Sequence, residues 1–143
     1  MPDNSIANYQ VTRNERVAAT LVALIGTPWA GVQLWVMSYE IDHTAIALLL
    51  SVLIFGPGFL VYLGLWRKAF GWRVWQDPTG TWVGVMCINT IWLALTAPGT
   101  LSAIRGESEP RDTMLALALL ASVVASILIG AYGWSVARRA TTK

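Results

Sequence analysis

Few residues of this chain have the type and spacing that catalysis or metal binding requires. The only histidine, His43, directly follows Asp42, so this pair is the first place to look for acid–base chemistry. One histidine can ligate a single metal ion or a pigment, but it cannot supply both axial ligands of a bis-histidine haem. The lone cysteine, Cys87, allows neither an internal disulfide nor a redox pair. We predict no catalytic residue and no metal site, and we keep His43 as a candidate cofactor ligand.

An enzyme that acts at a membrane surface could still use carboxylates next to its apolar segments. The candidates are Glu40, Asp42, Glu107, Glu109 and Asp112. Their spacing matches no metal-binding or hydrolase motif, and the chain contains no glycine-rich phosphate loop. We therefore interpret them as solvated loop charges, and an interfacial enzyme built around His43 stays an alternative.

The apolar composition indicates which elements must position these residues. The chain has 143 residues, of which 55% are hydrophobic and 13% are charged, which is too apolar for a soluble domain of this size. Uncharged runs cover residues 17–37, 44–66, 80–104 and 114–137. Each run can cross a bilayer as a helix, and none carries a regular polar stripe. The sequence predicts an all-α polytopic membrane protein, a single four-helix transmembrane domain over residues 1–143 with short loops and no soluble domain.

Start and stop signals predict helices over about residues 13–37, 44–66, 78–97 and 113–137. Thr12 and Glu15 have the spacing of a capping box at the start of helix 1. Asp42, Asp77-Pro78 and Asp112 can begin the other three helices. Gly56-Pro57-Gly58 predicts a kink in helix 2, and Pro98-Gly99 predicts the end of helix 3, with a loop over residues 100–111.

The distribution of Lys and Arg predicts the orientation. Eight of these cations flank the side that carries both termini and the loop between helices 2 and 3, whereas two lie on the other side. Because cations flanking a span favour the cytoplasm, we predict that both termini are cytoplasmic. The expected location is the bacterial inner membrane.

The stretch WRKAFGWRVW after helix 2 interleaves aromatic rings with cations. Such residues accumulate at the surface of a bilayer, where the rings lie among headgroups and the cations reach lipid phosphates. We predict a lipid-interface belt of Trp66, Arg67, Lys68, Phe70, Trp72, Arg73 and Trp75. A docking surface for a protein partner is the alternative, and a net charge of only +2 disfavours nucleic acid.

Small residues recur every fourth position in helices 1 and 4. These ridges allow close helix packing, either of the two helices on each other or on another chain. They consist of Ala19, Ala23, Thr27 and Gly31 in helix 1, and of Ala118, Ser122, Ser126 and Gly130 in helix 4. The polar residues Gln33, Asn89 and Thr90 lie inside apolar spans, so each must pair with another helix or line a conduit.

Three functional hypotheses follow from these observations. The first is a non-catalytic accessory subunit or assembly factor of a larger membrane complex, with lipids and other subunits, or the chain itself, as partners. The second is a homo-oligomeric channel, carrier or holin-like pore that uses Gln33, Asn89 and Thr90. The third is the interfacial enzyme at His43. No cofactor is predicted, although a lipid or pigment can be carried between the helices.

Overall fold

The structure, a computed structural model, describes residues 9–40, 45–72, 79–106 and 110–141. Within those ranges the chain forms four α-helices and no strand. The helices are α1 (Arg13–Glu40), α2 (Ala45–Ala69), α3 (Gly80–Ile104) and α4 (Pro110–Thr141). The prediction of an all-α chain is confirmed for the described residues.

The helices pack in an antiparallel ring. α1 contacts α2 and α4, and α3 contacts α2 and α4, with the most extensive interface between α3 and α4. The start of α1 meets the end of α2, since the Arg16 side chain donates a hydrogen bond from Nε to the carbonyl oxygen of Ala69 at 3.5 Å. We call the end of the bundle where α1 and α3 begin and α2 and α4 end the basic end. It carries Arg13, Arg16, Arg67, Lys68, Arg138 and Arg139.

The core lies close to the basic end and joins small residues of α1 to large residues of α3. Its fully or nearly fully buried members are Ala18, Ala19, Val22, Ala23, Leu65, Trp82, Val85 and Ala137. Trp82 fits because its ring lies against a glycine of α4. A Cβ atom added at Gly133 would lie 2.6 Å from the Trp82 ring. Such close approach of a ring to backbone is possible only where the facing residue has no side chain.

The prediction that α3 ends at Pro98-Gly99 was wrong. The helix continues to Ile104, and it bends by 51° between the segments Gly80–Ala94 and Thr96–Ile104. Proline removes the hydrogen bond to the carbonyl four residues earlier, which belongs to Ala94, so Pro98 accounts for a bend at this level. Two threonine hydroxyl groups near the bend donate hydrogen bonds to other backbone carbonyls of α3. Thr96 Oγ1 donates to Trp92 O at 2.8 Å, and Thr100 Oγ1 donates to Thr96 O at 3.0 Å.

The predicted limits of the other helices need smaller corrections. α4 begins at Pro110, where a proline suits the first helical position, so Asp112 lies in the first turn rather than at the N-cap. α2 runs through Pro57 as one helix, and the kink predicted there stays a prediction. The proposed caps Asp42 and Asp77-Pro78 lie outside the described residues.

One helix within the described ranges is clearly long and apolar enough to cross a membrane, over Asp112–Thr141. Only 17% of its most apolar 18-residue window is buried inside the chain. The two segments of α3 pass the same test if they are taken together as one bent span. Four spans therefore remain a prediction.

Candidate functional site

The start of α1 carries a carboxylate that the fold turns inward. Glu15 donates its backbone N–H to Thr12 Oγ1 at 3.3 Å, which is the half of the predicted capping box that the threonine provides. The Glu15 side chain does not complete that box. It is fully buried and points to residues of α2, α3 and the segment before α1.

Three donors converge on the Glu15 carboxylate. Oε1 accepts hydrogen bonds from Lys68 Nζ and from Trp82 Nε1, the latter at 2.9 Å. Oε2 accepts a hydrogen bond from the hydroxyl of Tyr9. We call Tyr9, Glu15, Lys68 and Trp82 the Glu15 cluster. Because a buried charge is tolerated only when it is paired and hydrogen-bonded, this convergence is the physical condition for keeping Glu15 inside the bundle.

Lys68 balances the charge of Glu15 from the last turn of α2. Its side chain is fully buried and forms an ion pair with Glu15. The ammonium nitrogen also lies 5.5 Å from the centroid of the Tyr9 ring and 5.7 Å from that of Trp82. A desolvated cation facing two aromatic rings gains a favourable electrostatic contact from each.

The Glu15 cluster takes side chains from three helices and packs against the fourth. Glu15 comes from α1, Lys68 from α2 and Trp82 from α3, while Gly133 of α4 lies against the Trp82 ring. No buried side-chain nitrogen or oxygen among the described residues lacks a hydrogen-bond partner. The two charges of the cluster neutralise each other, and its buried polar atoms all have hydrogen-bond partners. Its geometry suits holding helices in register.

Tyr9 closes the cluster from the segment that precedes α1. Burial, and then the hydrogen bond and the charge of Glu15, raise the pKa of Tyr9 far above its ordinary value of 10.0. Its hydroxyl therefore stays protonated and donates to the carboxylate throughout the physiological range.

The structure corrects the role predicted for Lys68 in the lipid-interface belt. A fully buried ammonium that is paired with Glu15 cannot contact lipid phosphates. The charge pattern alone could not show that Lys68 is buried while its neighbours are not. Its burial depends on which face of α2 packs against α1. Arg67, one residue earlier, is half-buried.

The end of α2 nevertheless displays aromatic rings. Gly71 takes a φ of +71°, and the N–H groups of Gly71 and Trp72 donate to the carbonyls of Lys68 and Arg67 at 3.0 and 2.9 Å. These two bonds form a Schellman cap, in which glycine avoids the steric cost of a left-handed conformation. Phe70 lies 5.8 Å from Trp66 and 5.5 Å from Trp72 between ring centroids.

Phe70 and Trp72 are exposed, at 58% and 59% of their surface, as a headgroup-level pair requires. Trp66 is half-buried and donates from Nε1 to Thr27 Oγ1 at 3.3 Å. The other two members of the predicted belt, Arg73 and Trp75, lie outside the described residues. A lipid-facing role for the aromatic residues stays a prediction.

The predicted small-residue ridges are buried near the basic end and exposed farther away. In α1, Ala19 and Ala23 are fully buried, whereas Thr27 is exposed. In α4, Ser126 and Gly130 are buried, Ser122 is half-buried and Ala118 is exposed. Gly31 belongs to α1, but its surroundings lie outside the described set.

At Gly130 the ridge of α4 faces α3. A Cβ atom added there would lie 3.2 Å from Val85 and 3.3 Å from Met86. The α1 and α4 helices are also in contact. Packing of the two ridges on each other stays a prediction.

The described polar residues that were predicted to lie inside the spans bond to carbonyls of their own helix, and the Asn89 side chain is also hydrogen-bonded to Tyr62 of α2. Asn89 is buried and donates from Nδ2 to the carbonyl of Val85 at 2.8 Å, and Thr90 is exposed and donates to the carbonyl of Met86 at 2.8 Å. The side chain of Gln33 is outside the described set. So is His43, which leaves its proposed ligand role a prediction.

Comparisons of this chain with protein-family models, with curated proteins and with solved structures found no match. Its function is therefore inferred from the contacts, burial and charges of its own residues. The Glu15 cluster is the site that sequence reasoning missed.

Proposed function

We propose that this chain is a four-span integral membrane protein that serves as a non-catalytic accessory subunit or assembly factor of a larger membrane complex. The observation that carries the proposal is the exposed apolar surface of α4. Large apolar side chains on this helix stay open within the chain: Met114 (74% exposed), Leu115 (51%), Leu117 (45%), Val124 (40%) and Leu128 (65%). Such a continuous surface needs lipid or another protein to cover it.

The organisation of the basic end supports the same proposal. Six cations gather where α1 and α3 begin and α2 and α4 end. Cytoplasmic flanks of spans collect Lys and Arg, so we place this end, with both termini, on the cytoplasmic side of the bacterial inner membrane. The exposed rings of Phe70 and Trp72 then lie at the level of the headgroups.

An accessory role fits the chemistry of the interior. The Glu15 cluster is charge-neutral and fully hydrogen-bonded, as expected of a structural centre. The polar groups that a conduit would need are already engaged, because Asn89 bonds to the carbonyl of Val85 and to Tyr62 of α2, and Thr90 bonds to the carbonyl of Met86. A homo-oligomeric channel, carrier or holin-like pore stays the second candidate, because the exposed Thr90 can face another copy.

A charge placed on the exposed face of α4 tests the membrane placement. Val124 is 40% exposed near the middle of the helix, and Val123 beside it is 6% exposed. In water, Val124→Arg would be tolerated because the new charge reaches solvent. In a bilayer it costs about 2.5–3.5 kcal/mol of insertion free energy. We expect Val124→Arg to lower the membrane-inserted fraction after a carbonate wash.

Val123→Arg is the matched control, since burying an arginine there disrupts packing in either environment. A Val124→Arg variant that remains folded and fully inserted, while Val123→Arg fails, would contradict the placement of α4 against lipid.

The accessory role is tested by gentle extraction of the tagged chain from its native membrane, followed by native mass measurement. We expect recovery in fixed stoichiometry with larger membrane proteins. Recovery as a pure homo-oligomer would instead favour the pore, and flux through liposomes with Thr90→Leu as the blocking variant would then decide.

A further inference from the structure

The exposed face of α1 at the basic end contains two adjoining grooves. One, of about 350 Å³, lies between α1 and α4 and is lined by Val17, Leu21, Leu128 and Tyr132 among others. The second, of about 290 Å³, lies on the other side of Val17 and Leu21, and its upper wall is Arg13 and Arg16. Val17 and Leu21 form the ridge between the grooves and are about half exposed.

Charge and apolar surface are separated along this face. The two arginines lie in the first turn of α1, and Leu21 lies eight residues after Arg13, about 12 Å farther along the helix. The Arg13 side chain forms no hydrogen bond or ion pair with any described residue. A cation at a helix N-terminus is also disfavoured by the helix dipole, so Arg13 gains most from an external anion.

No acidic side chain among the described residues at this end of α1 competes with that anion for the two arginines. Glu15, the acidic residue between the two arginines, points into the bundle and is neutralised by Lys68. Asn14 and Tyr132 add uncharged polar groups at the edge of the first groove. The face therefore has positive charge at the start of α1 and apolar surface farther along the helix. This arrangement is complementary to the negative headgroup and the apolar chains of an anionic lipid.

We infer that this face binds one anionic phospholipid, with its phosphate on Arg13 and Arg16 and its acyl chains in the grooves on either side of the Val17–Leu21 ridge. The inference rests on the membrane placement proposed above. The phosphate lies at headgroup level and the chains extend along α1 and α4 toward the bilayer centre. The apolar grooves below the arginines favour a lipid over free phosphate, which would leave them uncovered.

The test uses the purified full chain in neutral detergent. It is mixed with equal amounts of dioleoyl phosphatidylglycerol and dioleoyl phosphatidylcholine, and bound lipid is counted by native mass spectrometry. We expect the anionic lipid to be retained preferentially. A cation near the headgroup contributes about 1 kcal/mol, so Arg13→Gln should weaken its binding about fivefold and leave phosphatidylcholine unchanged.

Two further variants separate the parts of the site. Arg105→Gln is the control, because Arg105 is an exposed arginine at the opposite end of the bundle, and we expect it to leave binding unchanged. Leu21→Asn removes apolar surface from both grooves, so it should weaken both lipids to the same degree. Circular dichroism confirms that each variant keeps its helix content.

Several outcomes would overturn the inference. Equal retention of the two lipids, or equal loss in Arg13→Gln and Arg105→Gln, would mean that no specific anion site exists. Displacement by excess inorganic phosphate would mean that the grooves take no part. A dimer that excludes lipid would assign the face to a second copy. The lipid test uses the isolated chain, so a negative result does not contradict the accessory role. Conversely, if no partner is recovered from the native membrane, the lipid result is unaffected.

Discussion

Replacing Lys68 by methionine tests whether the buried ion pair organises the bundle. Methionine keeps the length of the lysine stem but removes its charge, so the Glu15 carboxylate stays buried without a counter-ion. Removing one partner of such a pair costs about 3–5 kcal/mol. Glu15 keeps its hydrogen bonds from Tyr9 and Trp82, and we therefore expect a loss of about 3 kcal/mol, at the lower end of that range.

The double variant Glu15→Gln, Lys68→Met sharpens this prediction. It buries no charge, and the glutamine oxygen can still accept from Trp82. We expect it to regain at least about 2 kcal/mol of the loss, which a double-mutant cycle reads as coupling between the two residues. The free energy of unfolding is measured by titrating the detergent-solubilised chain with a denaturing detergent and following helical circular dichroism.

Arg105→Met is the matched control, because it removes an exposed cation far from the Glu15 cluster. Equal stability of Lys68→Met and Arg105→Met would refute the reasoning. So would a double variant whose loss equals the sum of the losses in Lys68→Met and in Glu15→Gln alone, since the two residues would then act independently.

Two other predictions concern the same cluster. Burial and Glu15 raise the pKa of Tyr9 in the folded chain above its unfolded value of about 10, so this contribution to stability is fully present below pH 10 and falls as the pH rises above it. Unfolding between pH 9 and about 11.5 should then show a steeper loss in the wild type than in Tyr9→Phe, and parallel curves would contradict this. Gly133→Ala places a Cβ atom 2.6 Å from the buried ring of Trp82 and should cost about 1–3 kcal/mol, whereas Gly99→Ala, with nothing within 4 Å, should be neutral in the same denaturation assay.

The sequence predicts the helices well because apolar run length and charge position are local properties. The limits of α1 and α2 lie within three residues of those predicted, at Arg13–Glu40 and Ala45–Ala69. The error at Pro98 has a physical origin. A proline can either end a helix or bend it, and the outcome depends on tertiary packing, here of α3 on α4, which a sequence pattern does not show.

The Glu15 cluster could have been found in part from spacing. Glu15 lies four residues before Ala19, so it continues the small-residue ridge of Ala19 and Ala23 toward the helix start. Because positions four apart share a helix face, a buried ridge implies a buried Glu15. Its partners Lys68 and Trp82 carried no such signal, since their contact depends on how α2 and α3 are rotated against α1.

The cluster also changes how the charge count is interpreted. Lys68 belongs to the eight cations that predict a cytoplasmic basic end, yet it is buried inside the bundle and paired with Glu15. Leaving it out still gives seven against two, so the predicted orientation does not depend on this residue. In lipid the hydrophobic effect contributes little to helix association, and a hydrogen-bonded ion pair is one of the few directional contacts that can select a single arrangement of helices. Lys68 therefore acts on the packing of the bundle, and in the proposed membrane placement the contacts with lipid headgroups are assigned to exposed residues such as Arg13 and Phe70.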